Sequence, residues 1–170
     1  MKSEKESLFI TPSQEKHALM LIGLPGCGKT TWVAEHVRGF VIVDADKIKE
    51  THPQYDPKDP SIVHQWSVKE AETDMNLLAK RGVPVCLDGG GVNNHYSMRI
   101  MNMLKENGYK ITLIYFNVPT WVCAERNKKR ERVVPDTVIL EKSEKLFDSY
   151  ARQYAIADER ISVNENGTYS

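Results

Sequence analysis

The 170 residues carry 23 Lys+Arg against 23 Asp+Glu, so the formal charge is zero, with 41% hydrophobic and 27% charged residues. That is the length and make-up of one compact folded domain, and it excludes both wholesale disorder and a protein that coats long polyanions by bulk charge. Three cysteines, Cys27, Cys86 and Cys123, with no CxxC pair, exclude a disulfide framework and a zinc site and fit a reducing compartment. The charged N-terminus lacks the apolar stretch of a signal peptide, and no apolar run approaches 18 residues. The expectation is a cytoplasmic protein without a membrane anchor.

A polar lead-in over residues 1–16 precedes one domain, 17–170. Apolar Ala18–Ile22 reads as a buried strand, followed by a glycine-rich turn and a helix from about Thr30 to Arg38, closed by Gly39. Phe40–Asp44 is a second strand. Three prolines between His52 and Pro60 make that stretch a loop, after which Ser61 is expected to cap a long helix ending near Arg81 and Gly82. Val83–Asp88 is strand three. Asn94 is the expected cap of a helix ending near Asn107, with Gly108 as terminator. Lys110–Asn117 is strand four, Thr120–Lys129 a helix, Asp136–Ala155 the last long helix, and Arg160–Val163 a short fifth strand. Apolar strands alternating with helices predict an α/β fold. It is a three-layer α/β/α sandwich around a parallel sheet of about five strands, with ligands bound at the carboxyl edge.

The strongest local signal follows strand one. Gly23-Leu24-Pro25-Gly26-Cys27-Gly28-Lys29-Thr30 fits GxxxxGK[ST], between an apolar strand and a helix start. Glycines let the backbone curl so that N–H groups point inward at a phosphate, and the helix N-terminus adds partial positive charge. Gly23, Pro25, Gly26, Cys27, Gly28, Lys29, Thr30 and Thr31 are the expected ATP-binding residues. Lys29 is directed at the β- and γ-phosphates and the Thr30 hydroxyl at Mg²⁺. A turn that merely joins strand to helix explains neither Lys29 nor Thr30.

The class of P-loop protein follows by elimination. Asp88-Gly89-Gly90-Gly91 fits a GTPase switch, but Asn127-Lys128-Lys129-Arg130 ends in arginine where guanine recognition needs aspartate. Asp88 is followed by Gly89 rather than the glutamate that activates water in motor ATPases. A small kinase remains, with ATP and Mg²⁺ as cofactors. Such an enzyme needs a base beside the acceptor hydroxyl and cations on the transferring phosphoryl group. At the end of strand two, Asp44 or Asp46 can take the proton, and Lys49, one turn after Asp46, can hold a substrate phosphate. Arg126–Arg132 holds five positive charges and one negative, with Arg126 and Arg130 on one helix face. A basic run is by default a solvated helix end; above a P-loop its arginines can neutralise the transition state.

Two stretches resemble the polynucleotide kinase and zeta toxin branch of P-loop kinases. VIVDADKIKETHPQYD (41–56) is similar to the zeta toxin segment with Asp-x-Asp followed by His-Pro, and this resemblance puts the general base at Asp46. NVPTWVCAERNKKRERVVPDTV (117–138) resembles the lid of viral polynucleotide 5′-hydroxyl kinases, which puts a helical lid near 121–135 and its arginines at Arg126 and Arg130. The resemblance also matches the kinase aspartate after strand three with Asp88, near substrate and, through water, Mg²⁺. Lys49 stands where the 5′-kinases hold a 3′-phosphate with arginine, keeping the charge without the planar fork.

The implied activity is ATP-dependent phosphorylation of a hydroxyl of a nucleic acid or nucleotide, most like a 5′-hydroxyl kinase, with a hydroxymethylated DNA base as a further acceptor. The alternatives are a zeta-type sugar-nucleotide kinase and an ATP-binding module without transfer. No transition metal is expected, because the five histidines show no ligand spacing. Trp66 reads as a packing residue before a base-stacking one, Trp32 and Trp121 as structural, and Asn164–Gly167 as a loop that meets adenine by family analogy.

Overall fold

A computed structural model describes residues 9–130 and 134–170. Five strands, β1 (His17–Ile22), β2 (Val41–Asp44), β3 (Val85–Asp88), β4 (Lys110–Phe116) and β5 (Glu159–Val163), form one sheet in the order β2-β3-β1-β4-β5. Every pairing is parallel. β1 lies at the centre, with all six residues buried. Its alternation feeds two cores. Ala18, Met20 and Ile22 pack with α3 (His64–Arg81) and α4 (Asn94–Glu106); Leu19 and Leu21 pack with α1 (Lys29–His36) and α5 (Thr120–Lys128). This is the three-layer sandwich that the pattern of buried strands requires.

The last helix, α6 (Asp136–Ile156), serves both sides. Ile139 near its start joins the α1/α5 core, while Tyr150 and Ile156 pack on the α3/α4 core. It therefore crosses the carboxyl edge of the sheet, where its polar face meets the loops that follow the strands.

Several boundaries depart from expectation for local reasons. Ser61 does not cap the long helix: Pro60 opens a 3-10 turn through Val63, α3 begins at His64, and the Ser61 hydroxyl donates instead to Asp59. Asn93 rather than Asn94 caps α4, its Oδ1 accepting from Tyr96 N–H at 3.2 Å. The first helix ends at His36, because Ile10 draws the chain after it into a parallel bridge with Val37. The N–H of Ile10 donates to His36 C=O at 2.7 Å, so this part of the lead-in is tied to the fold. A six-residue helix, α2 (Ala45–Glu50), follows β2 directly. No helix among the described residues is long and apolar enough to cross a membrane.

Candidate active site

Carboxyl ends of β1, β2 and β3 open into a cleft of about 1170 Å³. Its floor is the turn between β1 and α1. Gly26 and Gly28 have φ of +82° and +93°, a region that glycine enters without the Cβ penalty. A Cβ on Gly26 would stand 2.3 Å from the Cys123 carbonyl oxygen, so α5 rests directly on this turn. Lys29 Nζ arches over the turn and donates to the carbonyls of Gly23 (3.0 Å) and Leu24 (2.9 Å), with Cys27 Sγ at 3.4 Å. The ammonium is thereby held at the centre of the ring, beside the start of α1. Pro25, Gly26, Gly28, Lys29, Thr30 and Thr31 line the cleft; Gly23 and Cys27 are buried beneath it and shape the turn.

Asp88, at the end of β3, is 4% exposed and accepts from the Thr30 hydroxyl at 3.0 Å. Burial pushes its carboxyl upward, against the pull of the Lys29 ammonium and the Thr30 hydrogen bond. A buried carboxylate beside a threonine hydroxyl at a helix start is the oxygen-rich donor set that Mg²⁺ prefers, held directly or through water. These two residues fit the metal that such a nucleotide site implies.

The register places Asp44 of β2 directly beside Asp88. Asp44 nevertheless does not line the cleft. Its Oδ1 caps α2, accepting from the N–H groups of Asp46 (2.9 Å) and Lys47 (3.4 Å), and it lines a separate small groove with Ile42 and Asp74. Burial, and then the charges of Asp88 and Asp46, raise its carboxyl to about 6. Asp46, two residues on, lines the main cleft with a half-exposed side chain. Lys49 lies one turn further along α2, with its side chain 8% exposed and its Nζ 3.3 Å from Asp46 Oδ1.

Arg126 and Arg130 close the other side of the cleft. The Arg126 guanidinium donates to Cys27 C=O at 3.3 Å and to Glu165 C=O at 2.6 Å. It thus ties the phosphate turn to the loop after β5, the 164–167 segment expected near adenine. That loop is a compact turn in which Asn164 Oδ1 accepts from the N–H groups of Asn166 and Thr168, each at 3.0 Å. Arg130, at the end of α5, is exposed on the cleft wall. Part of the expected lid, residues 131–133, lies outside the described residues.

Other residues reach the site only through tertiary packing. His64, at the start of α3, and Lys142, on α6, line the cleft; burial, followed by Lys49 and Lys142, lowers the imidazole's affinity for a proton. The segment after β3 is held by three hydrogen bonds, one from the β1–α1 turn and two from α6. Gly90 C=O accepts from Gly23 N–H (3.0 Å), Gly91 C=O from Gln153 Nε2 (2.6 Å) and Val92 C=O from the Ser149 hydroxyl (2.6 Å). Ser149 and Gln153 are four residues apart on α6, a spacing that signals one helix face without saying what that face meets. Trp66 lies outside the cleft lining and meets His52 edge-on at 4.8 Å. Trp32 is buried against Phe116 and Tyr169, as expected, whereas Trp121 is 70% exposed and is not a packing residue.

An AAA domain family model matches residues 19–154. No curated protein matches the chain at a significant level. Among solved structures, a chain from the PezAT toxin–antitoxin system of Streptococcus pneumoniae superposes with a TM-score of 0.67 at 18% identity, over 97% of this chain and 75% of its own. A chain from the Pnkp1/Rnl/Hen1 RNA repair complex gives 0.64 at 17%, over 83% of this chain, which spans about half (47%) of that one. Shikimate kinase from Bacteroides thetaiotaomicron gives 0.54 at 17%, over 88% and 87%. The chain belongs to the AAA domain family, and its three-layer fold is shared with these solved structures, a shikimate kinase among them.

Proposed function

We propose that the protein is an ATP-dependent kinase that transfers the γ-phosphate to a hydroxyl of a nucleic acid or nucleotide, most like a polynucleotide 5′-hydroxyl kinase. One observation carries the reading: the phosphate turn, the Asp46–Lys49 pair and both arginines line a single cleft. In this reading the turn holds the triphosphate, with Lys29 leaving the Gly23 and Leu24 carbonyls for the β- and γ-oxygens. Asp46 accepts the hydroxyl proton as the acceptor oxygen bonds to the γ-phosphorus, and the bond to the β-γ bridging oxygen breaks to release ADP. Arg126 and Arg130 compensate charge on the transferring group. Lys49, already beside Asp46, anchors an acceptor phosphate. Mg²⁺, when held by Thr30 and Asp88, screens the phosphate oxygens. Asp46 is preferred to Asp44 as the base because the Asp44 carboxylate is engaged in capping α2 and does not line the cleft, as Asp46 does.

A second reading, transfer to a sugar nucleotide, rests on the likeness of residues 41–56 to the zeta toxin segment. Labelled ATP offered to 5′-hydroxyl DNA and RNA, modified-base DNA, nucleosides and UDP-sugars separates the two. Label is expected on a 5′-hydroxyl end, and to be lost in Asp46→Asn and reduced by about 10³-fold or more in Arg130→Ala. Label on a UDP-sugar alone selects the second reading. Absence of label on every acceptor, or full activity in Asp46→Asn, ends the mechanism.

A further inference from the structure

Asn127 is fully buried at the end of α5, where a polar side chain needs a structural or functional reason to be present. Its side-chain amide grips one residue twice. Nδ2 donates to Val134 C=O at 2.5 Å and Oδ1 accepts from Val134 N–H at 3.1 Å. Its backbone carbonyl accepts from Arg130 N–H at 3.1 Å. On its other side its backbone N–H group abuts the phosphate turn, since a Cβ on Gly26 would stand 3.3 Å from the Asn127 nitrogen. A single residue thus touches the phosphate turn, the residue carrying the cleft-wall guanidinium, and the chain's return into α6.

We infer that Asn127 is a positioning residue that clasps Val134 to the end of α5 and fixes Arg130 relative to the phosphate turn. It touches neither substrate nor phosphate and acts through Arg130, so this inference rests on the kinase reading of the site. Only an amide offers a donor and an acceptor in the fork that Val134 requires. Aspartate keeps the acceptor but sets a carboxylate against the Val134 carbonyl, and alanine loses both bonds. Without the clasp Val134 is no longer tied to the end of α5, and Arg130 no longer meets the γ-phosphate in register. A misplacement of about 1 Å costs on the order of 10²-fold in rate.

Two measurements on the full chain test the clasp. In steady-state kinetics, Asn127→Ala is expected to lower kcat by about 10- to 100-fold while the KM for ATP changes by less than about threefold. Combined with Arg130→Ala it is expected to add no further loss, because both changes remove the same contact. Val134→Pro, which removes the N–H bonded to Oδ1 and leaves the carbonyl that Nδ2 reaches, is expected to give a smaller loss of the same kind, and serves if Asn127→Ala does not fold. Separately, trypsin is expected to cut after Lys129 and Arg130 at least about tenfold faster in Asn127→Ala than in the parent, with the melting transition still cooperative. Losses from Asn127→Ala and Arg130→Ala that multiply, or unchanged tryptic cleavage, overturn the clasp. Absence of transfer to any acceptor removes the kinase reading, and the cleavage rates still decide whether Asn127 holds the loop.

Discussion

At the scale of single residues, the two aspartates after β2 show how position along one turn separates roles. Both are polar, two apart, at the carboxyl edge of the sheet, and sequence alone leaves either as a base. Structure divides them by hydrogen bonding: Asp44 caps α2 from a buried site, and Asp46 faces the cleft. The capping residue has a measurable signature. With its folded value raised from 3.8 to about 6, Asp44 is neutral in both folded and unfolded chains below about pH 3.8 and contributes nothing there. As pH rises through 4 to 6 the unfolded chain ionises first, and the folded state bears a penalty that is complete above about 6 and reaches about 3 kcal/mol. Asparagine caps as well as aspartate and carries no charge. Asp44→Asn is therefore expected to raise the melting temperature at pH 7.5 and leave it unchanged at pH 3.5, as read by thermal unfolding across that range. A variant destabilised at both pH values would show that the carboxyl's cap geometry, not its charge, matters at this position.

At the scale of elements, what was legible in the sequence was what local pattern controls. Strands β1 and β4 announce themselves by continuous apolar runs, and the positive φ at Gly82 (+69°) and Gly108 (+83°) fits the terminators read at those positions. Helix starts were less legible because caps compete. Asn93 and Asn94 are chemically identical, and only the turn out of the glycine run decides which side chain meets the Tyr96 N–H. The supports of the site were illegible for a different reason. Ser149 and Gln153 sit on a helix whose amphipathic pattern says only that one face is covered, and their partners Val92 and Gly91 are some sixty residues away in the chain. Gly91 itself is tightly constrained, with φ +69° and space for no Cβ, since one would stand 2.5 Å from Leu21 C=O. Gln153→Met keeps the volume and removes the donor to Gly91. Stability is expected to fall by about 1–2 kcal/mol, because the Ser97 hydroxyl, at 3.3 Å, still reaches the same carbonyl. Denaturant unfolding reads this directly. A Gln153→Met protein as stable as its parent would mean that the Gln153 bond adds nothing to the hold of Ser97, Ser149 and the phosphate turn on this segment.

At the scale of the whole molecule, charge and topology together explain how a neutral chain presents a cationic site. Parallel order β2-β3-β1 brings the carboxyl ends of three strands to one edge, so that Asp88, Asp46 and the phosphate turn converge although they lie far apart in sequence. Of the basic run at the end of α5, Arg126 and Arg130 line one wall of that cleft, while the chain as a whole balances to zero. Such a molecule is expected to gain stability from a triphosphate rather than from a long polyanion. Ligand at 100 times its dissociation constant adds about 2.7 kcal/mol, which for a chain of this size raises the melting temperature by roughly 5–10 °C. ATP with Mg²⁺ is expected to produce that shift and ATP with EDTA a smaller one, because Thr30 and Asp88 then lose the ion they fit. Lys29→Ala is expected to abolish most of it, and a 20-residue 5′-hydroxyl oligonucleotide without ATP to produce almost none. The Lys29 arm carries the most weight. In the parent, Lys29 Nζ already donates to Gly23 and Leu24, so removing it both empties the ring of its cation and frees two carbonyls to face a phosphate they repel. A full shift in Lys29→Ala would place the nucleotide somewhere other than the turn between β1 and α1.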